Sequence, residues 1–75
     1  MPENRLDKVL AGTLNLSTVP ADISQGNCPQ WDSIRHLNLV IALEAEFAVT
    51  FEPEEIAAMR SREEILKILK TKDGV

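Results

Sequence analysis

The sequence has few of the residue types on which catalytic and metal sites depend. It contains one cysteine, one histidine and no tyrosine among 75 residues. A single cysteine cannot form a disulfide within the chain, and together with one histidine it cannot supply a Cys₂His₂-type zinc site. The usual acid–base and nucleophile sets would also have to be built around that one histidine. We therefore expect no metal site and no enzymatic activity of the chain's own.

Long apolar runs and basic clusters are also missing. No apolar segment approaches the ~18–20 residues of a membrane-spanning helix, and no apolar signal-peptide segment follows Met1. Acidic residues outnumber basic ones by 12 to 8, and seven of the acids lie within residues 44–64. Such a surface repels nucleic acid and favours encounter with basic partners, although charged helix faces can equally serve only to keep a domain in solution. We expect one cytoplasmic, monomeric domain over residues 1–75, with no membrane span and no nucleic-acid partner.

Apolar residues recur at helical spacing in four segments, and no strand-like alternation competes with them. The first helix is predicted over residues 2–14 and the second from residue 33 to about residue 47. A short third helix opens at Pro53 and ends near residue 59, and a fourth follows the capping residue Ser61. The sequence thus predicts an all-α fold, a small four-helix bundle made of three main helices and a short third one.

A long loop separates the first two helices. Residues 15–32 follow no helical period and contain two prolines and a glycine. Loops of this length in small domains are often functional or contain a helical turn, and residues 19–24 could supply such a turn. Three apolar residues are expected to anchor the loop to the core: Leu16, Val19 and Ile23. Cys28 is expected to act as a small apolar filler.

The second helix carries two apolar stripes when its residues are placed at roughly 100° per residue. The stripe predicted to face the core consists of Leu39, Val40, Leu43 and Phe47. The second stripe consists of Ile34, Leu37 and Ile41. It either packs beneath the long loop or the third helix, or it is exposed for contact with a partner. His36 is expected on the helix surface, without a pH-sensing or catalytic role.

Ser33 stands at the start of the second helix. A serine in this position is most often only an N-cap, and Asp32 is suited to the same role. The Gly-x-Ser-x-Gly pattern of hydrolases is absent, and nothing in the sequence supplies an orienting carboxylate for a Ser33–His36 pair. Ser33 is therefore not predicted to be a hydrolytic nucleophile.

Three motifs follow one another from this serine. Asp-Ser-Ile occupies residues 32–34, Leu-Val-x-Ala-Leu-Glu-x-Glu-Phe occupies residues 39–47, and Val-x-Phe-x-Pro-Glu-Glu-Ile occupies residues 49–56. In combination they resemble the phosphopantetheine-attachment region of acyl carrier proteins, in which Asp-Ser-Leu opens the second helix. Ile34 is a mild departure from that pattern. The resemblance covers residues 31–69 closely and the first helix loosely.

The resemblance implies that the chain carries a chemical group and catalyses no reaction itself. In the family, a phosphopantetheinyl transferase attaches 4′-phosphopantetheine from coenzyme A to the serine, here Ser33, which Asp32 precedes. The arm then carries acyl groups as thioesters between acyl-loading and acyl-processing enzymes of fatty acid, polyketide or other specialised lipid biosynthesis. The alternatives are an aminoacyl or peptidyl carrier, or an unmodified helical interaction module of the same fold.

The resemblance also implies roles for residues beyond Ser33. Partner recognition would involve Ile34, Leu37, Ile41, Glu44 and Glu46. An acyl chain would be lined by Val40, Leu43, Ile56, Met59 and Ile65, which are equally suited to be ordinary core residues. The chain departs from primary fatty-acid carriers at Arg35 and Asn38, where those carriers have acids, and Trp31 is more typical of dedicated pathways. These departures favour a specialised carrier.

Overall fold

Four helices form along residues 2–72, the part of the chain that the computed structural model describes. They are α1 (Pro2–Leu14), α2 (Ser33–Phe47), α3 (Pro53–Ala58) and α4 (Arg62–Lys70). The predicted all-α bundle of three longer helices and a short third one is confirmed. Of the domain predicted over residues 1–75, Met1 and residues 73–75 lie outside the described residues. Between residues 2 and 72, no helix is long and apolar enough to cross a membrane.

Local signals fix the two ends of α2. Asp32 is the N-cap, and its carboxylate accepts a hydrogen bond from the Arg35 backbone N–H at 2.8 Å. Ser33 is therefore the first helical residue and does not cap. The helix ends at Ala48, whose backbone is left-handed with φ 54° and whose N–H donates to the Glu44 carbonyl. Left-handed backbone is unfavourable for any residue with a β-carbon, so this end of α2 carries local strain.

The last two helices begin as their sequences predict. Ser61 caps α4, because its hydroxyl accepts a hydrogen bond from the Glu64 N–H at 3.1 Å. Pro53 occupies the first turn of α3, where its missing N–H costs nothing. The Glu55 carboxylate accepts a hydrogen bond from the Glu52 N–H at 2.8 Å and so closes that turn.

The core lies between α1, α2 and α4. Its helical members are Leu6, Leu10, Leu14, Leu39, Val40, Leu43, Phe47, Ile65 and Leu69, all at most 6% exposed. The connecting segments add Ile23, Cys28, Trp31, Phe51 and Met59. Each large apolar side chain contributes about 1.5–3 kcal/mol when fully buried, so this packing is the main source of stability in a domain without a disulfide. No residue of α3 is fully buried.

The long loop is tied to the rest of the fold through its backbone. Ser24 forms an isolated antiparallel bridge with Ser61, and the Arg62 N–H donates to the Ile23 carbonyl at 3.0 Å. The suggested helical turn over residues 19–24 is not formed, and the Ser24 N–H donates instead to the Asn27 side-chain oxygen at 2.9 Å. A tight turn closed by Ile23 N–H on the Pro20 carbonyl takes its place. The three predicted anchors of the loop do pack on the core, with Ile23 buried and the other two partly buried.

One ion pair links the first and last helices. The Arg62 guanidinium donates to both carboxylate oxygens of Asp7, at 2.6 and 3.3 Å. The hydrogen bond that Arg62 donates to Asp7 raises the pKa of Arg62 by more than partial burial lowers it. Two parallel hydrogen bonds also fix the relative orientation of the two side chains.

Candidate functional site

Ser33 lies exposed at the N-terminus of α2. Because Asp32 accepts the capping hydrogen bond, the serine is not needed for the helix start. Among residues 2–72, its hydroxyl makes no hydrogen bond to another side chain. The first N–H groups of α2 also give this end of the helix a partial positive charge, which favours a nearby anion such as a phosphodiester.

His36 does not act on this serine. Its Nδ1 accepts a hydrogen bond from the Trp31 indole N–H at 3.0 Å, and its Nε2 lies 2.9 Å from the Ile56 carbonyl oxygen. Both ring nitrogens are thus occupied by residues other than Ser33. His36 keeps part of its surface exposed on α2, and its ring also contacts Trp31 of the loop and the Ile56 carbonyl of α3, which the expected surface position did not indicate.

The two predicted stripes of α2 have opposite environments. The core stripe is buried throughout, as expected. In the second stripe Ile34 is 72% exposed, Leu37 60% and Ile41 65%. The interpretation that packs this stripe beneath the loop or α3 is therefore wrong, and the other interpretation, an exposed stripe, is the one observed. We refer to Ile34, Leu37 and Ile41 as the exposed stripe.

The surroundings of the exposed stripe carry little free charge. Asn38 and Ala45, both exposed, continue the same side of the helix without adding a charge. Arg35 is half-buried, and its guanidinium donates to the Gln30 carbonyl at 3.2 Å. The stripe beside Ser33 thus carries no charge of its own, and the exposed Asp32 is the acid next to the serine.

The two acids predicted to recognise partners are engaged within the chain. The Glu44 carboxylate accepts a hydrogen bond from the Phe51 N–H at 3.0 Å, which holds the segment after α2. The Glu46 carboxylate pairs with Arg5 at 2.9 Å, and the same guanidinium lies 4.5 Å from the centre of the Phe47 ring. Both side chains of the Arg5–Glu46 pair are more than 40% exposed. Such pairs contribute about 1 kcal/mol at most, so Glu46 is able to exchange partners more readily than Glu44.

The residues predicted to line an acyl chain belong to the packed core. Val40, Leu43, Met59 and Ile65 are at most 5% exposed, and Ile56 is half-buried. Two surface pockets, of about 470 and 530 Å³, lie elsewhere: the first beside loop residues 16–30, the second between residues 24–26 and residues 60–64. Neither pocket is lined by any of the five predicted residues. An acyl chain would have to displace packed side chains to enter between the helices.

Polar contacts hold α3 at its start. Lys72 places its ammonium 2.6 Å from the Glu55 carboxylate, which also accepts the Glu52 N–H. The hydrogen bond from Glu52 and then the one from Lys72 lower the pKa of Glu55 below its ordinary value of 4.5. This carboxylate is therefore kept ionised by its surroundings and serves the fold rather than the Ser33 site.

No metal centre accompanies the site. Within residues 2–72, no group of three or more histidine, cysteine, aspartate or glutamate side chains is placed to hold a metal ion. Cys28 is buried, with its sulfur 3.5 Å from the Gln30 side-chain oxygen. Its place in the core agrees with the expected role of a small apolar filler.

The sequence patterns did not indicate the contacts of Trp31 and His36. The two residues are five apart and flank the Asp32-Ser33 pair, so neither the helical period nor a capping pattern connects them. The second contact of the His36 ring, the Ile56 carbonyl, lies 20 residues beyond it. In comparisons with known proteins, no family model and no curated protein matches the chain. The assignment of Ser33 as the candidate functional residue therefore depends on the residues around it and on the motifs that begin at Asp32.

Proposed function

We propose that this protein is a carrier that receives a 4′-phosphopantetheine arm on Ser33 and moves thioester-linked acyl groups between biosynthetic enzymes. The observation that supports this proposal best is an exposed serine hydroxyl at the start of α2, relieved of capping by Asp32 and followed directly by the exposed stripe. The motifs over residues 32–56 point to the same function. The departures at Arg35 and Asn38 favour a specialised carrier over a general fatty-acid one.

The chain's part in the attachment reaction is that of a nucleophile presented to another enzyme. The Ser33 oxygen forms a new bond to the phosphorus that bears the pantetheine group of coenzyme A. The bond between that phosphorus and the bridging oxygen breaks, and adenosine 3′,5′-bisphosphate leaves. The hydroxyl proton passes to a base of the transferase, since His36 has both nitrogens occupied. When bound, the arm supplies a terminal thiol that holds the acyl group as a thioester.

The exposed stripe is suited to brief docking. Burying the exposed 60–72% of each side chain would contribute about 1–2 kcal/mol per residue. Three such contacts together are offset by the cost of association, which is about 4–15 kcal/mol. A partner that relied on this stripe alone would therefore bind weakly and leave quickly. Short-lived complexes are what a shuttle between successive enzymes requires.

The attachment itself is tested by mass spectrometry. The protein is incubated with coenzyme A, magnesium and a broad-specificity phosphopantetheinyl transferase, and its intact mass is measured. We expect the mass of one phosphopantetheine group to be added to the wild type and to Ser17→Ala, a matched change of an exposed loop serine. Ser33→Ala should gain nothing. An unmodified wild type, or a mass gain that persists in Ser33→Ala, would refute the proposal.

A second candidate is an unmodified helical interaction module. The exposed stripe favours it, because partner binding accounts for three exposed apolar side chains whether or not Ser33 carries an arm. This candidate predicts no mass gain with the transferase, and partner binding that is lost in Leu37→Asp and kept in Ser33→Ala. The two candidates therefore differ in the behaviour of one serine.

The nature of the cargo is a separate question within the carrier proposal. The loaded group is either an acyl chain or an aminoacyl group, as the motifs are compatible with both. Intact and fragment mass spectra of the protein purified from its native host identify the group on the arm. An amino acid in thioester linkage would overturn the acyl assignment and leave the carrier assignment in place.

A further inference from the structure

A hydrogen-bond chain away from the exposed stripe connects three segments of the fold. The Trp31 indole N–H donates to His36 Nδ1 at 3.0 Å, and His36 Nε2 lies 2.9 Å from the Ile56 carbonyl oxygen. The two aromatic rings stack with their centres 6.1 Å apart and their planes inclined by 27°. Trp31 is only 3% exposed, so the indole is a fixed point against which the imidazole is held.

The two bonds determine the protonation state of the imidazole. An indole nitrogen is only a donor and a carbonyl oxygen only an acceptor. Nδ1 must therefore be unprotonated, and Nε2 must carry the hydrogen that is donated to Ile56. A neutral His36 satisfies both partners. A protonated ring would direct an N–H at the Trp31 N–H and would have to move away from the indole, which also displaces Nε2 from the carbonyl.

Helix α3 is held by a small number of contacts, of which the His36 bond is one and the Glu55–Lys72 pair is another. It is six residues long, and a helix of that length is not stable by itself in water. None of its residues is fully buried: Ile56 packs on the core only in part, and the buried Phe51 and Met59 lie outside its two ends. The bond from His36 is thus the one polar tie described between α2 and the body of α3.

We propose that Trp31, His36 and Ile56 form a proton-sensitive latch: neutral His36 holds α3 against α2, and protonation of its Nδ1 releases α3. The latch goes beyond the carrier function and does not depend on it. It is a property of the unmodified chain, because none of its three members includes Ser33. Histidine is the side chain whose unperturbed charge change falls between pH 5 and 8, so a titration over that range tests the latch.

The charged groups on the elements around the imidazole have other partners. On the α2 side, Asp32 accepts the Arg35 N–H, and the Arg35 guanidinium donates to the Gln30 carbonyl. On the α3 side, Glu55 pairs with Lys72, while Glu52 and Glu54 are exposed. Within residues 2–72, none of these side chains hydrogen-bonds to the ring. The neutral indole and the carbonyl are its direct partners.

The chain offers unambiguous probes for this proposal. It has one histidine and one tryptophan, so imidazole resonances report only on His36 and indole signals only on Trp31. At neutral pH, nitrogen NMR of the unmodified protein should show a protonated Nε2 and an unprotonated Nδ1. A protonated Nδ1 in the neutral ring would overturn the proposal, and this measurement needs no variant.

Release of α3 is followed by hydrogen exchange across a titration from pH 8 to pH 5. Exchange rates are expressed relative to those of an unstructured peptide at the same pH. We expect protection of the Ile56 and Met59 amides to fall about tenfold as the imidazole signals titrate, which corresponds to the loss of one net hydrogen bond. Protection in α4, for example at Leu69, should not change. Unchanged protection of the Ile56 and Met59 amides refutes the latch.

Two variants separate the latch from general acid destabilisation. His36→Gln keeps a donor and an acceptor and cannot be protonated in this range, so its tryptophan fluorescence should be constant from pH 8 to pH 5. Trp31→Phe removes the indole N–H and should make α3 protection independent of pH at a lowered level. A pH response in His36→Gln equal to that of the wild type would overturn the proposal. Ser33→Ala should respond like the wild type, so failure of the carrier proposal and failure of the latch give different results.

Discussion

Alanine substitutions of Leu37 and Leu39, both on α2, should distinguish a loss of partner docking from a loss of folding stability. Leu39 is fully buried, so Leu39→Ala should lower the free energy of unfolding by about 2–5 kcal/mol. Leu37 is 60% exposed, and the buried remainder of its side chain accounts for about 1 kcal/mol at most. The exposed part of the Leu37 side chain contributes favourable free energy only when a partner covers it. Its loss in Leu37→Ala should then cost about 1–2 kcal/mol of docking energy, or a roughly 5- to 30-fold reduction in kcat/KM for attachment at Ser33.

The assay combines two measurements on each variant. Urea unfolding followed by far-UV circular dichroism gives stability, and the initial rate of mass gain with the transferase gives kcat/KM. Leu39→Ala, measured at a temperature where it is folded, should keep most of its kcat/KM. If Leu37→Ala unfolds as easily as Leu39→Ala, the stripe is not exposed in solution. If Leu37→Ala is modified as fast as the wild type, docking on the stripe is refuted.

Four further outcomes follow from contacts described above. Because the exposed stripe is uncharged, the KM of the transferase for this protein should change less than about threefold between 50 and 500 mM NaCl, and a steep increase would indicate charge steering instead. Asp7→Asn should lower the free energy of unfolding in urea by about 1 kcal/mol, since it leaves the Arg62 guanidinium without its ionised partner, and an unchanged midpoint would contradict this. The folded-state pKa of Glu55 is lowered, so the stability that its ionised carboxylate contributes is present above its ordinary pKa of 4.5 and is lost as the pH falls through the folded value. Glu55→Gln should therefore show a smaller drop in Tm between pH 6 and pH 3 than the wild type. An equal drop in the two proteins would contradict this role of Glu55. Ala48→Gly should stabilise the protein by about 0.5–1 kcal/mol by relieving the left-handed end of α2, whereas a lower Tm would argue against strain there.

The helices were predictable because their signals are local. The start of α2 is marked by a capping acid, its interior has neither glycine nor proline, and the third and fourth helices open with proline and serine at the expected places. The exposure of the stripe was not predictable in the same way. A helical period gives the angle between two stripes on one helix, but it does not say which side the neighbouring helices occupy.

Contacts between distant backbone groups were beyond reach of the sequence patterns. The bridge between Ser24 and Ser61 and the bond from His36 to the Ile56 carbonyl depend on main-chain atoms, which every residue has, so no residue type marks them. Counting charges in the sequence likewise did not predict the contacts of Glu44 and Glu46. Both acids lie on α2 as expected, yet their carboxylates are engaged by Phe51 and Arg5 of the same chain.

The absence of a fully buried side chain in α3 has a consequence for how this protein responds to denaturant. The urea dependence of an opening reaction scales with the surface that the reaction uncovers. Detaching α3 would uncover little apolar surface, so its opening should have a shallow urea dependence, while unfolding of the Leu-rich core should have a steep one. The molecule then has two kinds of opening that differ in their response to urea. Low concentrations of urea should leave the opening of α3 almost unchanged while they lower the stability of the core.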